Sequence, residues 1–198
     1  MAIETILEFW FGEDTDDSVV AKNKSALWWS KNPDVDAEMR QRFESFVHRA
    51  AAGELSDWQS SPRGRLALIL LTDQFPRNIY RDSPRAFAHD RQALAWCIDG
   101  IDQDVDLKLR PIERVFFYLP LEHAESLEHQ DRSVKLFRRL LDEVGASQTK
   151  VFEEYLDFAV RHRDIIARFG RFPHRNKILG REPTSDELAF LATPGASF

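Results

Sequence analysis

Cysteine is nearly absent from this chain of 198 residues, in which Cys97 is the only one. A single thiol excludes an internal disulfide framework and a zinc site made of several cysteines. Its neighbours Leu94, Trp96 and Ile98 indicate a buried, unreactive side chain. A chain without disulfides suits a reducing compartment, and we therefore expect a cytoplasmic protein.

Long hydrophobic runs are also missing. The longest aliphatic run, Leu66 to Leu71, is far shorter than the roughly 20 residues that a membrane-spanning helix needs. The first residues, Met1 to Glu4, show neither the basic start nor the apolar core of a secretory signal peptide. These absences predict a protein without a membrane partner.

Basic residues are lacking from the first 20 positions, which carry six acids, although the net charge of the whole chain is only −6. A basic segment lies near the other end, where residues 161–181 contain seven Lys or Arg and one acid. The remaining surface is acidic and would repel nucleic acid, so we expect no nucleic-acid partner. We expect the basic segment to pair with acids of this protein or to hold one small anion.

Glycine and proline are sparse, with 8 and 9 residues, and alternating strand patterns are nearly absent. Helical spacing dominates instead, as in the apolar positions Met39, Phe43, Phe46, Val47 and Ala50. We predict an all-α protein with a single domain over residues 1–198. The predicted helices cover residues 3–11, about 34–52, 62–75, 84–96, about 111–144 with a kink at Pro120, 151–169, and a short last helix capped by Thr184 and Glu187.

One short pattern occurs twice. Residues 74–78 read Gln-Phe-Pro-Arg-Asn, and residues 172–176 read Phe-Pro-His-Arg-Asn, with His174 inserted. In each copy a helix is predicted to end at Phe-Pro, and Arg81 or Arg181 precedes the next helix. Two related halves, about 1–100 and 101–198, would explain this echo, but five residues can also coincide by chance.

Asp73 lies at the end of a predicted helix that is otherwise apolar, so its carboxylate must be paired if it is buried. Arg77 follows one helical turn later, and the loop arginines Arg81, Arg171 and Arg175 are further possible partners. Two interpretations are open. Asp73 forms a structural ion pair that locks the turn, or it is an acid–base group at the rim of a pocket.

Glu122, Glu125 and His129 are spaced by three and four residues, which would align them on one helix face beyond Pro120. Such a face suits acid–base chemistry, and it equally suits a solvated surface. The spacing is neither Glu-x-x-His nor His-Glu-x-x-His, so we predict no metal site. A phosphate loop, a dinucleotide fingerprint and a Gly-x-Ser-x-Gly elbow are absent, so we predict no cofactor. His123 points to another side, where it can donate a hydrogen bond into the core.

The turn at residues 168–176 brings Arg171, His174, Arg175 and Asn176 into a short space. Arginine forks bind carboxylate and phosphate through two parallel hydrogen bonds. His162 precedes this turn and is the best candidate for a general base, because a histidine beside arginines tends to stay neutral. Alternatively, the arginines cap helix carbonyls and pair with acids, and His162 is a satisfied core residue.

Longer motifs resemble a known family. They lie at residues 7–12 (LEFWFG), 64–77, 118–123 (YLPLEH), 168–176 with 179–181 (LGR), and 194–198 (PGASF). The chain is similar to the bacterial family called domain of unknown function 924, which is grouped with tetratricopeptide-like helical folds. The resemblance implies antiparallel helix pairs in a curved right-handed array, and it implies no established activity or cofactor. Thr72 and Ala124 depart from the family pattern, which would have Leu and Ser. The family's motif positions fall here on Asp73 to Asn78, Glu122, His123, His162 and the turn from Arg171 to Asn176.

Three functions are consistent with these patterns. The leading hypothesis is an interaction module whose concave face holds an anionic small molecule or an acidic peptide end. The alternative is a small cofactor-independent hydrolase or lyase, and the third is a structural module in which the polar motifs only lock turns. The predicted ligand-binding residues are Asp73, Arg77, Asn78, His123, Arg171, Arg175 and Asn176, and the predicted catalytic residues are Glu122, His162 and His174.

Overall fold

Helices form the scaffold of the computed structural model, which describes residues 2–196 and contains no β-strand within that range. The prediction of an all-α protein is confirmed. Ser197 and Phe198, the last residues of the 194–198 motif, lie outside the described residues, as does Met1. The helices are α1 (Ala2–Phe11), α2 (Asp17–Trp29), α3 (Pro33–Ala51), α4 (Pro62–Ile69), α5 (Phe75–Ile79), α6 (Asp90–Asp102), α7 (Pro111–Glu122), α8 (Leu127–Glu143), α9 (Thr149–Phe169) and α10 (Ser185–Leu191).

Several helix ends follow local signals in the sequence. Helix α1 ends at Gly12, whose φ of +76° is the left-handed conformation that glycine adopts without strain. Helix α3 begins after Asn32, whose side chain accepts hydrogen bonds from the first N–H groups of the helix. Helix α10 carries the predicted capping box, because Thr184 and Glu187 each accept from the other's backbone N–H.

Helix α4 lies at the centre of the core. Its run from Leu66 to Leu71, which continues beyond the end of α4, is completely buried, and α4 packs against α1, α6 and α7. The aromatic rings of Trp10, Phe75 and Phe116 form a cluster, with centroids 5.4 and 5.5 Å from that of Trp10. Because the chain passes directly from this apolar run to Asp73, it carries a carboxylate into the interior.

Helices α7, α8 and α9 pack as successive neighbours. Their connections, residues 123–126 and 144–148, are short, which favours antiparallel pairs. The curvature of a tetratricopeptide-like array and the relation between the two halves stay predictions. None of the helices in residues 2–196 has the length and apolarity that crossing a membrane requires.

The single helix predicted over residues 111–144 is wrong, because the chain breaks into α7 and α8 after Glu122. Pro120 lacks an N–H, and α7 ends two residues beyond it. The buried Gln130 of α8 donates its Nε2 to the carbonyl oxygens of Glu122 (2.6 Å) and Ala124 (2.9 Å), which satisfies the end of α7. The common face predicted for Glu122, Glu125 and His129 therefore does not form.

The helix predicted to stop at Pro76 instead changes its winding. Residues Leu70–Gln74 form a π-turn, closed by a hydrogen bond from Phe75 N–H to the carbonyl of Leu70. The chain then continues as α5, with Pro76 in its first turn, where the missing N–H is not needed. Such π-turns are rare and are found frequently at functional sites.

Two other segments differ from the sequence prediction. The sequence predicts no helix between residues 12 and 33, but Asp17–Trp29 form helix α2, which begins after Asp16, whose side chain accepts from the N–H of Ser18. The helix predicted from Pro84 to Trp96 is divided into a 3-10 turn, Pro84–Phe87, and helix α6. This division matters because Phe87 and Asp90 then face the two Phe-Pro turns.

Candidate functional site

The two Phe-Pro turns meet in space at Phe87 and Asp90. The guanidinium carbons of Arg77 and Arg175 lie 5.5 and 4.9 Å from the centre of the Phe87 ring. Asp90 accepts hydrogen bonds from Nη1 and Nη2 of Arg77 at 2.8 and 2.9 Å, and its Oδ2 lies 3.7 Å from Nη1 of Arg175. The two copies of the Phe-Pro pattern therefore place their arginines, Arg77 and Arg175, close together in space.

Asp73, placed by the π-turn, is completely buried and has three partners. His123 Nδ1 lies 2.8 Å from Oδ1, Arg77 Nη1 lies 3.3 Å from the same oxygen, and Gln74 donates its Nε2. Burial alone would raise the pKa of this carboxyl, but the charge of Arg77 and the hydrogen bond from His123 lower it. Asp73 is therefore a buried carboxylate whose charge is compensated.

His123 is held neutral beside this carboxylate. Burial, and after it the charge of Arg77, lowers the pKa of His123, although Asp73 acts in the opposite direction. A neutral imidazole that donates Nδ1–H to Asp73 carries its lone pair on Nε2. The pair has the arrangement in which a carboxylate orients a histidine base.

Glu122 and His162 form a second carboxyl–imidazole pair, with 3.1 Å between Oε1 and Nδ1. Both are buried, and His162 Nδ1 also donates to the carbonyl of Phe158 at 2.8 Å. Burial, followed by the charge of Asp73, raises the pKa of Glu122 to about 8. Burial also holds the pKa of His162 well below its usual range. At neutral pH this pair is uncharged, and its imidazole lies 6.3 Å from that of His123, centre to centre.

Arg175 is the most deeply buried arginine of this region, with 6% of its surface exposed. Its guanidinium carbon lies 4.4 Å from the centre of the Phe172 ring, and Phe87 borders it as well. Nη1 donates to the carbonyl of His123 at 3.1 Å, whereas the buried Nε has no hydrogen-bond partner. Burial, and next the charge of Arg77, lowers the pKa of Arg175 to about 10. The cation is therefore poorly compensated.

His174 lies beside Arg175 and is half-buried, with its ring centre 5.6 Å from that of Phe172. Burial, followed by the charge of Arg175, lowers the pKa of His174 to about 4. It is therefore neutral at physiological pH. The prediction that His162 stays neutral agrees with its lowered pKa, although burial rather than the charge of the neighbouring arginines is the main cause.

The other motif arginines are fully engaged in structural contacts. Arg171 binds both carboxylate oxygens of Glu187, at 2.6 and 2.8 Å, and so faces α10. Arg181 binds both oxygens of Glu125, at 2.7 and 3.0 Å, and also contacts Asn176 Oδ1. Such contacts agree with the interpretation in which the motif arginines pair with acids of the protein and lock its turns.

The first Phe-Pro turn is locked in the same way. Asn78 donates its Nδ2 to Asp36 at 3.1 Å, and Arg81 donates to both oxygens of the same carboxylate. Near each Phe-Pro turn the following Arg therefore binds a carboxylate, Asp36 at the first and Glu125 at the second. Asn78 binds that carboxylate directly, whereas Asn176 accepts a hydrogen bond from Arg181. Asn78 and Asn176, predicted as ligand-binding residues, take part in these locks.

The structure thus brings together Asp73, Arg77, His123 and Arg175, with Glu122 and His162 beside them. Phe87 and Asp90 belong to the same cluster, but their place in it could not be predicted from the sequence, because no motif or spacing marks them. No group of three or more His, Cys, Asp or Glu suited to hold a metal ion occurs within residues 2–196. A groove of about 450 Å³ between α1, α2 and α3 contains none of these residues.

Comparison with known proteins places the chain in a family. The model of the family described as bacterial protein of unknown function (DUF924) matches residues 6–195, and the chain belongs to this family. The solved structure of a protein of unknown function from Agrobacterium tumefaciens is similar over 96% of this chain and 97% of that chain, with 36% identity and a TM-score of 0.82. No curated protein matches the chain significantly.

Proposed function

We propose that the protein binds an anionic group, carried by a small molecule or by an acidic peptide end, with Arg175 as the anchor. One observation carries this proposal: Arg175, a residue that is 94% buried, has an Nε with no hydrogen-bond acceptor. An incompletely paired buried charge is costly, and native proteins keep few such groups without a purpose. An anion at Nε would supply the missing partner.

Comparison with the neighbouring arginines supports the choice of Arg175. Arg77 is engaged by Asp73 and Asp90, and Arg171 is engaged by Glu187. Neither can bind an external anion without releasing a carboxylate of the protein. We therefore assign the binding role to Arg175 and a structural role to Arg171.

Partly exposed residues surround Arg175. Arg77, Phe87, Asp90, His123 and His174 are each half-buried, whereas Asp73 and Arg175 lie beneath. Asp90, already bound by both Nη atoms of Arg77, is only weakly engaged with Arg175 at 3.7 Å. Because Nε itself has almost no accessible surface, an anion reaches it only when one of these partly exposed side chains moves aside.

The cellular location of the protein and the arrangement of its helices form part of the same proposal. A single cysteine, which is completely buried, supports a cytoplasmic location. The successive packing of α7, α8 and α9 supports a tetratricopeptide-like array of helix pairs.

We predict that a carboxylate, phosphate or acidic-peptide ligand raises the melting temperature of the wild type and that Arg175→Lys abolishes this effect. A ligand at about 100 times its dissociation constant adds about 2.7 kcal/mol, or about 5–10 °C for a domain of this size. Lysine keeps the charge but loses the fork that aligns two hydrogen bonds. The measurement is a thermal-shift screen, repeated by titration calorimetry for each compound that responds.

Two control variants test whether the loss of binding is specific to Arg175. Arg168→Lys alters an exposed arginine of α9 and should leave binding unchanged. Arg171→Lys should lower stability but retain binding, since Glu187 rather than a ligand occupies Arg171. Absence of a response from the wild type to every anion would reject the proposal and favour the purely structural function.

A second function, cofactor-independent acid–base catalysis by a hydrolase or lyase, is favoured by the two carboxyl–imidazole pairs. At neutral pH the Asp73 carboxyl is ionised and the Glu122 carboxyl is protonated. Neighbouring carboxyl groups whose pKa values differ in this way often act as the base and the acid of a reaction. A compound that binds should then be turned over by the wild type. Glu122→Gln should bind the compound but not convert it, and binding without turnover in the wild type would exclude catalysis on that compound.

A further inference from the structure

His123 has one ring nitrogen, Nε2, that is open to water. Its other nitrogen, Nδ1, lies 2.8 and 3.0 Å from the two carboxylate oxygens of Asp73, which is completely buried. Within residues 2–196 Nε2 has no hydrogen-bond partner, yet it is not among the fully buried polar atoms that lack one. Since 14% of the His123 side chain is exposed, water can reach this nitrogen. The neutral ring therefore offers an open lone pair while a buried carboxylate holds its other edge.

The other two histidines of the cluster are less suited to exchange a proton with water. Only 7% of the His162 side chain is exposed, and its partner Glu122 is protonated at neutral pH, because burial raises the pKa of Glu122 to about 8. Burial lowers the pKa of His174 to about 4, which makes it a weak base at neutral pH. Asp73 is ionised, so it orients His123 and stabilises the imidazolium that forms when His123 accepts a proton. These differences favour His123 as the base.

The exposure of Nε2 favours a reaction with water. A base that removes a proton from carbon works in a site shielded from water, whereas a base that activates water must be in contact with it. Nε2 is reached by water although Asp73 behind the ring is dry. Hydrolysis therefore suits this base better than elimination. Among acyl compounds, an ester suits a single base best, because its alkoxide departs more readily than the amine of an amide.

We infer that Nε2 of His123 is the general base of a hydrolytic site that acts on carboxylic esters. Nε2 takes a proton from a water molecule while the oxygen of that water attacks the carbonyl carbon of the ester. When the bond from this carbon to the alcohol oxygen breaks, the imidazolium returns the proton to the leaving oxygen. One ester and one water thus give one acid and one alcohol. This inference rests on the catalytic function proposed above, and it names the base, the reaction and the substrate class.

The test is the hydrolysis of p-nitrophenyl acetate, followed by the colour of the released p-nitrophenolate. In His123→Gln the amide can still donate a hydrogen bond to Asp73, but no lone pair accepts a proton from water. We expect kcat to fall by about 100-fold and KM to change little, since a general base acts in the transition state. His129→Gln is the matched control, because His129 is a half-buried histidine of α8 outside the cluster, and it should keep the wild-type rate.

The pH profile separates a base from a structural residue. Burial, and next the charge of Arg77, lowers the pKa of His123 from its usual value of 6.5. The wild-type rate should therefore hold on acidification to about pH 6.5 and fall only below it. A midpoint at or above that pH would indicate an ordinary exposed histidine and overturn the assignment. The charged and titratable groups around this ring are Asp73, Arg77, Asp90, Glu122, His162, His174 and Arg175.

A second measurement uses the wild-type protein, in case His123→Gln does not fold. Diethyl pyrocarbonate acylates neutral imidazole: Nε2 bonds to a carbonyl carbon of the reagent, ethyl carbonate leaves, and the Nδ1 proton is released. Mass spectrometry of the digested protein should find His123 modified in parallel with the loss of hydrolysis. An unmodified His123 after complete reaction of His48, which is exposed, would overturn the inference.

The results also distinguish this inference from the functions proposed above. Hydrolysis that is equally fast in His123→Gln would overturn the assignment of the base and leave catalysis standing. A wild type no faster than buffer alone would overturn both ester hydrolysis and catalysis on this compound. Anion binding at Arg175 is tested separately by the thermal shift, and neither of these outcomes changes it.

Discussion

Arg77→Met is expected to lower the free energy of unfolding by about 3 kcal/mol at neutral pH. Asp73 is completely buried, and Arg77 Nη1 is its cationic partner at 3.3 Å. Removing one member of a buried ion pair leaves the other without compensation, which typically costs about 3–5 kcal/mol. The lower end applies here because the hydrogen bond from His123 remains. Urea denaturation followed by circular dichroism measures this difference.

The pH dependence of this loss has a definite sign. The folded-state pKa of Asp73 is lowered, so its stabilisation is present above the unfolded-state pKa of about 3.9 and is lost as the pH falls below it. The gap between Arg77→Met and the wild type should therefore stay constant down to about pH 4 and narrow only below it.

Arg91→Met is the matched control for this substitution, because Arg91 is an exposed arginine of α6. Its stability should differ from that of the wild type by no more than about 0.5 kcal/mol. If Arg77→Met were as stable as Arg91→Met at neutral pH, the ion pair with Asp73 would not contribute to the fold.

Glu122→Gln is expected to stabilise the protein in alkaline solution, by as much as about 5 kcal/mol above pH 8. In the folded state burial and Asp73 raise the pKa of Glu122 to about 8, whereas the unfolded value is about 4.5. The unfolded state therefore releases this proton at a lower pH than the folded state, and the stability contributed by Glu122 falls as the pH rises from about 4.5 to 8. Glutamine keeps the shape of the protonated acid and can still accept from His162 Nδ1, but it does not titrate.

The measurement is the free energy of unfolding of both proteins between about pH 4 and 9, with the difference between them taken at each pH. Taking the difference removes the contribution of His162 and of every other shared group. The two proteins should agree near pH 4 and diverge steadily above it. Glu128→Gln, a change at an exposed acid of α8, should show no such divergence. A constant difference between Glu122→Gln and the wild type across this range would show that Glu122 titrates normally.

Part of the candidate site could be recognised from residue types and spacing. Asp73, Arg77, His123 and Arg175 stand out in the sequence, and the structure brings them together. Their partners do not stand out. Asp90 lies in a segment predicted as the interior of an ordinary helix, and Arg181 is 56 residues from its partner Glu125. Long-range pairing leaves no periodic trace in the sequence, so it could not be inferred.

The division of roles among the arginines was also beyond the sequence. Arg171 and Arg175 are equivalent in any local pattern, since both lie in the turn after α9. The structure turns Arg171 towards Glu187 and buries Arg175 beside Phe87 and Phe172. Which guanidinium remains poorly paired depends on how helix α10 and the Pro84–Phe87 turn are positioned.

The sequence by itself determined the all-α class, the extents of helices such as α3 and α9, and the capping box of α10. These features depend on apolar periodicity and on contacts within a few residues, which the order of residues shows directly. Tertiary structure decided where the chain breaks after Glu122, because Gln130 of the next helix satisfies the carbonyls there. It also decided the charge states of Glu122 and His162, because burial and the charges of distant residues set a pKa, and neither is encoded locally.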